Sequence, residues 1–232
     1  NNFKEIDCTG KTVMPGFIDT HTHFVFSGSR SDEYEMRISG STYEEIAKAG
    51  GGIAKTVNSV RKSTKEELKS IAAKRLEYFV QYGTTSIEGK SGYGLDTKNE
   101  IKMLDVINEL ANENEFGLDI YPTFLGAHSI PKEIRKNEYM DLICYDMIPE
   151  NAKEKKAMFI DVFCEKGYFT AKETDRIFIE GVKFGLIPKL HTDQFNSIGG
   201  IDVAIKNKAI SVDHIEVIDK KDIRKLSNKN IV

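Results

Sequence analysis

Five histidines sit in this 232-residue chain, at His21, His23, His128, His191 and His214. His21 and His23 are two residues apart. On a strand, both imidazoles leave the same face about 7 Å apart along the backbone, close enough to share one ion. A bare His-Thr-His is as readily a pair of polar strand-end residues. What favours ligation is the run Pro15-Gly16-Phe17-Ile18-Asp19 before it, on the first strand of a series. His191 ends the stretch Ile187–Leu190 and is the expected third ligand, while His214 ends Ile210–Asp213. Either could alone be a ring satisfied by a neighbouring carbonyl. Three neutral nitrogens and one oxygen ligand leave room for a water, as hydrolysis needs, and one divalent ion, zinc or iron(II), suits such donors.

Short apolar runs alternate with amphipathic stretches. Strands are expected at 13–18, 84–88, 118–124, 159–164, 187–191 and 209–214, with the start of a seventh at 230–232. Between them Leu68, Ile71, Ala72, Leu76, Phe79 and Val80 repeat at helical spacing, as do Ile101, Leu104, Ile107 and Leu110. Further helices are expected in 132–158, 170–184, 199–207 and after Asp219, and the region 24–62 reads as polar and glycine-containing. Ser63 or Thr64, Asp96 or Thr97, Thr170 and Asp219 are suited to cap helices. Such alternation predicts parallel β/α units, in an open sheet or a barrel. Every histidine falls at or just past the C-terminal end of an expected strand. Convergence from many strand ends is how a (β/α)8 TIM barrel builds a site, whereas an open sheet concentrates its site at one switch point. The expected fold is therefore α/β, a (β/α)8 barrel incomplete in this chain, with strands 1–6 and a stub of strand 7.

The chain is 40% hydrophobic and 30% charged with a net charge of −3, and no block of like charge calls for nucleic acid or a membrane surface. No apolar run approaches the roughly 18 residues of a membrane span, and no signal peptide is visible. Cys8, Cys144 and Cys164 lack metal or redox spacing and read as reduced thiols, so a cytoplasmic location is expected. The chain opens on Asn1, so a native start is expected to be missing.

The string Val13-Met14-Pro15-Gly16-Phe17-Ile18-Asp19-Thr20-His21-Thr22-His23 resembles the opening of the amidohydrolase superfamily barrel. The segments Phe26-Ser27-Gly28-Ser29-Arg30, Gly50-Gly51-Gly52-Ile53 and Lys90-Ser91-Gly92-Tyr93-Gly94-Leu95 narrow it. With Phe124-Leu125-Gly126-Ala127-His128, Asp161-Val162-Phe163-Cys164-Glu165 and Leu190-His191-Thr192-Asp193-Gln194, they resemble the imidazolonepropionase family, in order along nearly the whole chain.

The resemblance implies opening of the ring of 4-imidazolone-5-propanoate by water, giving N-formimidoyl-L-glutamate in histidine breakdown. The partner is then a small molecule bearing a carboxylate. Arg30 offers a planar fork for that carboxylate, Tyr93 sits in a glycine-flanked loop suited to close approach, and His128 could donate to a ring atom. The plainer readings are a solvated arginine, a packed tyrosine and a loop histidine. Gln194 stands where some family members carry a glutamate; it can bind substrate but cannot act as a base. By resemblance His214 is then the group that orients or deprotonates water, and an aspartate at an eighth strand end would be the fourth ligand.

Lys166 follows the fourth strand, where some superfamily members bridge two metals with a modified lysine, but Glu165-Lys166-Gly167 reads as a turn. Asp19 and Asp213 adjoin histidines and could orient them; alternation points them away from the ligand face, so strand-edge salt bridges are as readily expected. Residues 1–11 resemble the exit from a small accessory β-sandwich, leaving 12–232 as the partial barrel. The family also implies a homodimer. Two other readings stand beside this one: a deaminase of guanine- or cytosine-like rings, and a metal-binding fragment without activity.

Overall fold

The computed structural model describes residues 3–42, 45–46 and 50–232. Six strands form one parallel sheet in sequence order: β1 (Phe17–Thr22), β2 (Thr84–Lys90), β3 (Asp119–Ala127), β4 (Phe159–Cys164), β5 (Ile187–Thr192) and β6 (Ser211–His214). In a flat sheet β1 and β6 would lie about 24 Å apart, at five inter-strand spacings. Here His21 Nδ1 of β1 lies 3.0 Å from Asp213 Oδ2 of β6. The sheet is therefore curled nearly closed, an incomplete (β/α)8 barrel. At its end, Val212 N–H donates to Val232 O (2.9 Å) and Val232 N–H donates to Ile210 O (3.0 Å), the start of a seventh position beside β6.

From Lys65 onward the helices form where the sequence places them, for local reasons. Between β1 and β2 run α1 (Ser31–Ile38), α2 (Ile53–Lys62) and α3 (Lys65–Gln81). Thr64 opens α3 with a capping box to Glu67, each side chain satisfying the other's otherwise unpaired backbone N–H. Asp96 caps α4 (Thr97–Glu113) through Asn99 N–H. After β3 come α5 (Lys136–Leu142), a π-helical turn at Ile143–Met147 and α6 (Ile148–Lys153). Thr170 and Glu173 repeat the capping box on α7 (Ala171–Lys183). Two short helices, α8 (Gly200–Lys206) and α9 (Lys220–Leu226, capped by Asp219), finish the series. Among the described residues no helix is long and apolar enough to cross a membrane.

Two expectations shift. Strand β1 starts at Phe17 rather than residue 13, because Pro15 has no N–H to give a ladder. Phe17 N–H makes the first bond, to Gly83 O (2.9 Å), while Val13 and Met14 are exposed. The region read as polar and glycine-containing holds α1 and α2, the latter burying Thr56, Val57 and Val60. Lys166 lies exposed in a turn, as its sequence context predicts.

The outward faces of the strands pack on the helices, as Ile87 of β2, Ile160 and Val162 of β4 and Leu190 of β5 do, all fully buried. Inward, the middle of the barrel is charged rather than aliphatic: Glu88, Lys90, Asp161 and Lys189 are each buried there.

Candidate metal and substrate site

The eight side chains expected to bind metal or substrate or to move a proton line one cavity of about 460 Å³ at the C-terminal end of the barrel: His21, His23, Arg30, Tyr93, His128, His191, Gln194 and His214. Ring centroids of His21 and His191 are 4.4 Å apart, and those of His21 and His23 5.6 Å. Three groups, His21, His23 and His191, each bring a ring nitrogen within 4.8 Å of the others, so they could hold one ion.

The donors fit a metal in their chemistry as well as their spacing. His23 Nδ1 lies 3.2 Å from Ser91 O, His21 Nδ1 3.0 Å from Asp213 Oδ2 and His191 Nδ1 2.8 Å from Asp161 Oδ2. An Nδ1 that faces an oxygen favours the tautomer with its proton there, and that tautomer leaves Nε2 with its lone pair for an ion. His191 is 2% exposed and neither ring nitrogen makes a hydrogen bond of ordinary geometry, so Nε2 is a buried polar atom lacking a partner among the described residues. Loss from water favours the neutral rings. Burial pushes His191 down to about 4 against the pull of Asp161, and His128 down to about 3, helped by the neighbouring His191. His23 is driven well below the usual range by desolvation, then by His128 and His191.

These shifts set a pH dependence. Unfolded, the rings take up protons near pH 6.5; folded, His191 does so only near 4 and His128 near 3. Below pH 6.5 the unfolded chain therefore binds more protons, and stability falls with pH. The metal-free protein is expected to be unaffected from pH 8 to 7 and to lose thermal stability progressively as pH falls from about 6.5 to 4. Calorimetry across that range checks this; a flat Tm would mean the rings are not held neutral.

The other groups that line the cavity come from different elements, each pinned by a neighbour. Arg30 precedes α1, where its Nε donates to Glu33 Oε2 (2.8 Å) while Glu33 Oε1 accepts from Gly52 N–H (3.0 Å). The Tyr93 loop is tied to α4: Glu100, fully buried, accepts from the N–H groups of Gly92, Gly94 and Leu95 at 3.0, 2.7 and 2.8 Å. Gly92 turns that loop at φ +102°, and a Cβ there would lie 2.9 Å from His128 Nδ1, so the close approach needs glycine. His128 Nδ1 lies 3.0 Å from Gly92 O, and its ring stacks on His23 at 4.9 Å. Beyond β5, Glu165 accepts from the N–H groups of Phe195 and Asn196 at 2.9 and 3.1 Å, which holds the loop carrying Gln194.

Asp213 points into the barrel against His21 and Lys90, which fits its reading as a partner that orients a histidine and not the alternation that would turn it away from the ligand face. The count from His214 fails because His214, the last residue of β6, has φ +76°, outside ordinary strand geometry, which turns its ring over the cavity. Its centroid is 5.2 Å from His21 and 5.1 Å from His191, with Glu216 Oε1 3.4 Å from Nδ1. Asp19 accepts from His21 N–H at 3.3 Å.

Sequence reasoning missed Lys90, Asp161, Glu100 and Glu165 as parts of the site. Lys90 and Asp161 lay inside quoted motifs, and a charged residue amid a buried strand was the available signal.

Residues 4–56 match the model of the amidohydrolase family. The imidazolonepropionase of Christiangramia forsetii is 48% identical over 95% of this chain and 54% of its own length. That of Clostridium tetani is 40% identical over 100% of this chain and 55% of its own length. These relatives bear out the resemblance read from the motifs, and the chain spans about half their length. Among solved structures, 5-methylcytosine deaminase from Klebsiella pneumoniae superposes with a TM-score of 0.66 at 14% identity, over 94% of this chain and 52% of that one. Adenine deaminase from Arthrobacter aurescens does so at 0.62 and 15%, over 92% and 69%. At such identities the likeness shows the barrel fold alone.

Proposed function

This chain is a relative of the imidazolonepropionases, and we propose that it carries the metal and substrate groups of a hydrolase that opens the ring of 4-imidazolone-5-propanoate to N-formimidoyl-L-glutamate. The observation that carries this is the meeting, in one cavity, of three histidine nitrogens within 4.8 Å and of Arg30, Tyr93 and His128. His21, His23 and His191 hold one divalent ion, zinc or iron(II). When bound, such an ion supplies Lewis acidity, which activates water and draws charge from a carbonyl oxygen. Arg30, oriented through Glu33, takes the substrate carboxylate with its terminal nitrogens. Tyr93 and His128 hold the ring. His214 takes a proton from the attacking water and returns it to the departing ring nitrogen, the C–N bond breaking as the acyl carbon keeps the new oxygen. Gln194 hydrogen-bonds the substrate without exchanging protons.

The protein is further proposed to act in the cytoplasm as a homodimer. Residues 1–11 are proposed to lead from an accessory β-sandwich; Phe3 and Ile6 there are exposed, as a path into further structure would leave them.

Turnover of imidazolonepropanoate by the intact, metal-loaded protein tests the reading, and no turnover with metal bound would sink it. Arg30→Met is the sharper variant. Losing a charge-assisted pair worth about 1.5–3 kcal/mol should raise KM roughly 10- to 150-fold. A neutral, cytosine-like ring would show no such change, which would favour a deaminase instead.

A further inference from the structure

Beneath the histidines lies a layer of charge that the reaction above does not use. Lys90 is its centre, with no exposed surface. Its ammonium lies 2.7 Å from Asp161 Oδ2, 2.8 Å from Glu88 Oε1 and 3.3 Å from Asp213 Oδ2. Three donors thus meet three carboxylate oxygens. Two of those oxygens are the ones that face the proposed ligands: Asp161 Oδ2 is 2.8 Å from His191 Nδ1 and Asp213 Oδ2 is 3.0 Å from His21 Nδ1. The third carboxylate, Glu88, is itself anchored by Thr123 Oγ1 and by Lys189 Nζ at 2.8 Å. One side chain on β2 is therefore joined to the supports of histidines on β5 and on β1, across the barrel.

We infer that Lys90 is a positioning residue for the metal site, holding Asp161 and Asp213 together against the Nδ1 atoms of His191 and His21 so that both Nε2 atoms face the same ion. The inference rests on the single-ion reading above. Without the ammonium, two carboxylates on neighbouring sides of the cavity repel, and each loses one of the contacts that fix its direction. The histidines would then keep their positions in the chain and lose their common aim. Outer contacts of this kind are worth roughly 10- to 100-fold in metal affinity.

The test is a zinc titration of the intact protein against a chromogenic chelator, comparing wild type with Lys90→Met. The folded variant is expected to bind zinc 10- to 100-fold more weakly, with Lys90→Arg recovering part of the loss. A role in folding alone would lower Tm and leave the affinity of the folded protein unchanged. Should Lys90→Met fail to fold, Glu88→Gln/Lys90→Met removes one charge of each sign from the layer and carries the same expectation. Zinc affinity within twofold of wild type in either folded variant overturns the inference. A wild type that takes up no zinc overturns the single-ion reading, and this one with it; a wild type that binds while the variants bind equally well overturns only the role of Lys90.

Discussion

His214→Gln is expected to lower kcat by about 10²–10⁴-fold, the range for loss of a positioned acid–base group, while zinc content stays at the wild-type level. The reason lies in the surroundings of the ring. His214 is turned over the cavity by a backbone at φ +76°, unusual for a residue other than glycine. Its ring sits 5.1 Å from His191 and 5.2 Å from His21 without joining their ligand set. Gln194, beside it in the cavity, has no proton to exchange. Steady-state kinetics with metal analysis of the same sample separates the outcomes. A fall in kcat with KM and metal little changed assigns proton transfer to His214. A parallel loss of metal would make it a ligand instead, and a kcat within a few-fold of wild type would move the proton elsewhere.

Asp161→Asn is expected to destabilise the metal-free protein by about 3–5 kcal/mol, the cost of breaking a buried ion pair from one side. Against a typical total of about 5–15 kcal/mol this is a large share. Asp161 has no exposure and meets Lys90 at 2.7 Å and His191 at 2.8 Å. Burial alone would raise its pKa, but His191 and Lys90 outweigh that and hold the carboxyl well below its usual range. A depressed carboxyl contributes its stability above the unfolded value near 3.9 and loses it only in stronger acid, so the contribution is fully present at pH 7. Asparagine keeps an oxygen for Val162 N–H and His191 N–H, which Oδ1 accepts at 2.8 and 3.2 Å. The variant therefore reads the charge rather than the shape. Urea unfolding at pH 7 measures it, and a shift under 1 kcal/mol would show that Lys90 is neutralised by Glu88 and Asp213 alone.

Much of the fold was legible because its signals are local. The caps at Thr64, Asp96, Thr170 and Asp219 depend on a side chain and a backbone N–H three residues on. Helical periodicity placed Leu68, Ala72 and Leu76 on one buried face. The start of β1 was misplaced because apolar character at Val13 and Met14 is no guarantee of pairing. Helices α1 and α2 were missed because glycines on either side of residues 43–49 mask their short periodic runs.

By itself the sequence determined that polar groups stand at successive strand ends and that His21 and His23 share a face, both from residue type and a period of two. Arg30, Tyr93 and His128 entered through the resemblance to the imidazolonepropionases. Only the tertiary structure decided what supports them. Lys90 meets Asp161 across 71 positions and Asp213 across 123. No local pattern announces such pairs, because a buried charge is tolerable only once its partner arrives from a distant strand. The curl of the sheet brings them together, and that curl gathers histidines far apart in the chain into a group that could hold one ion.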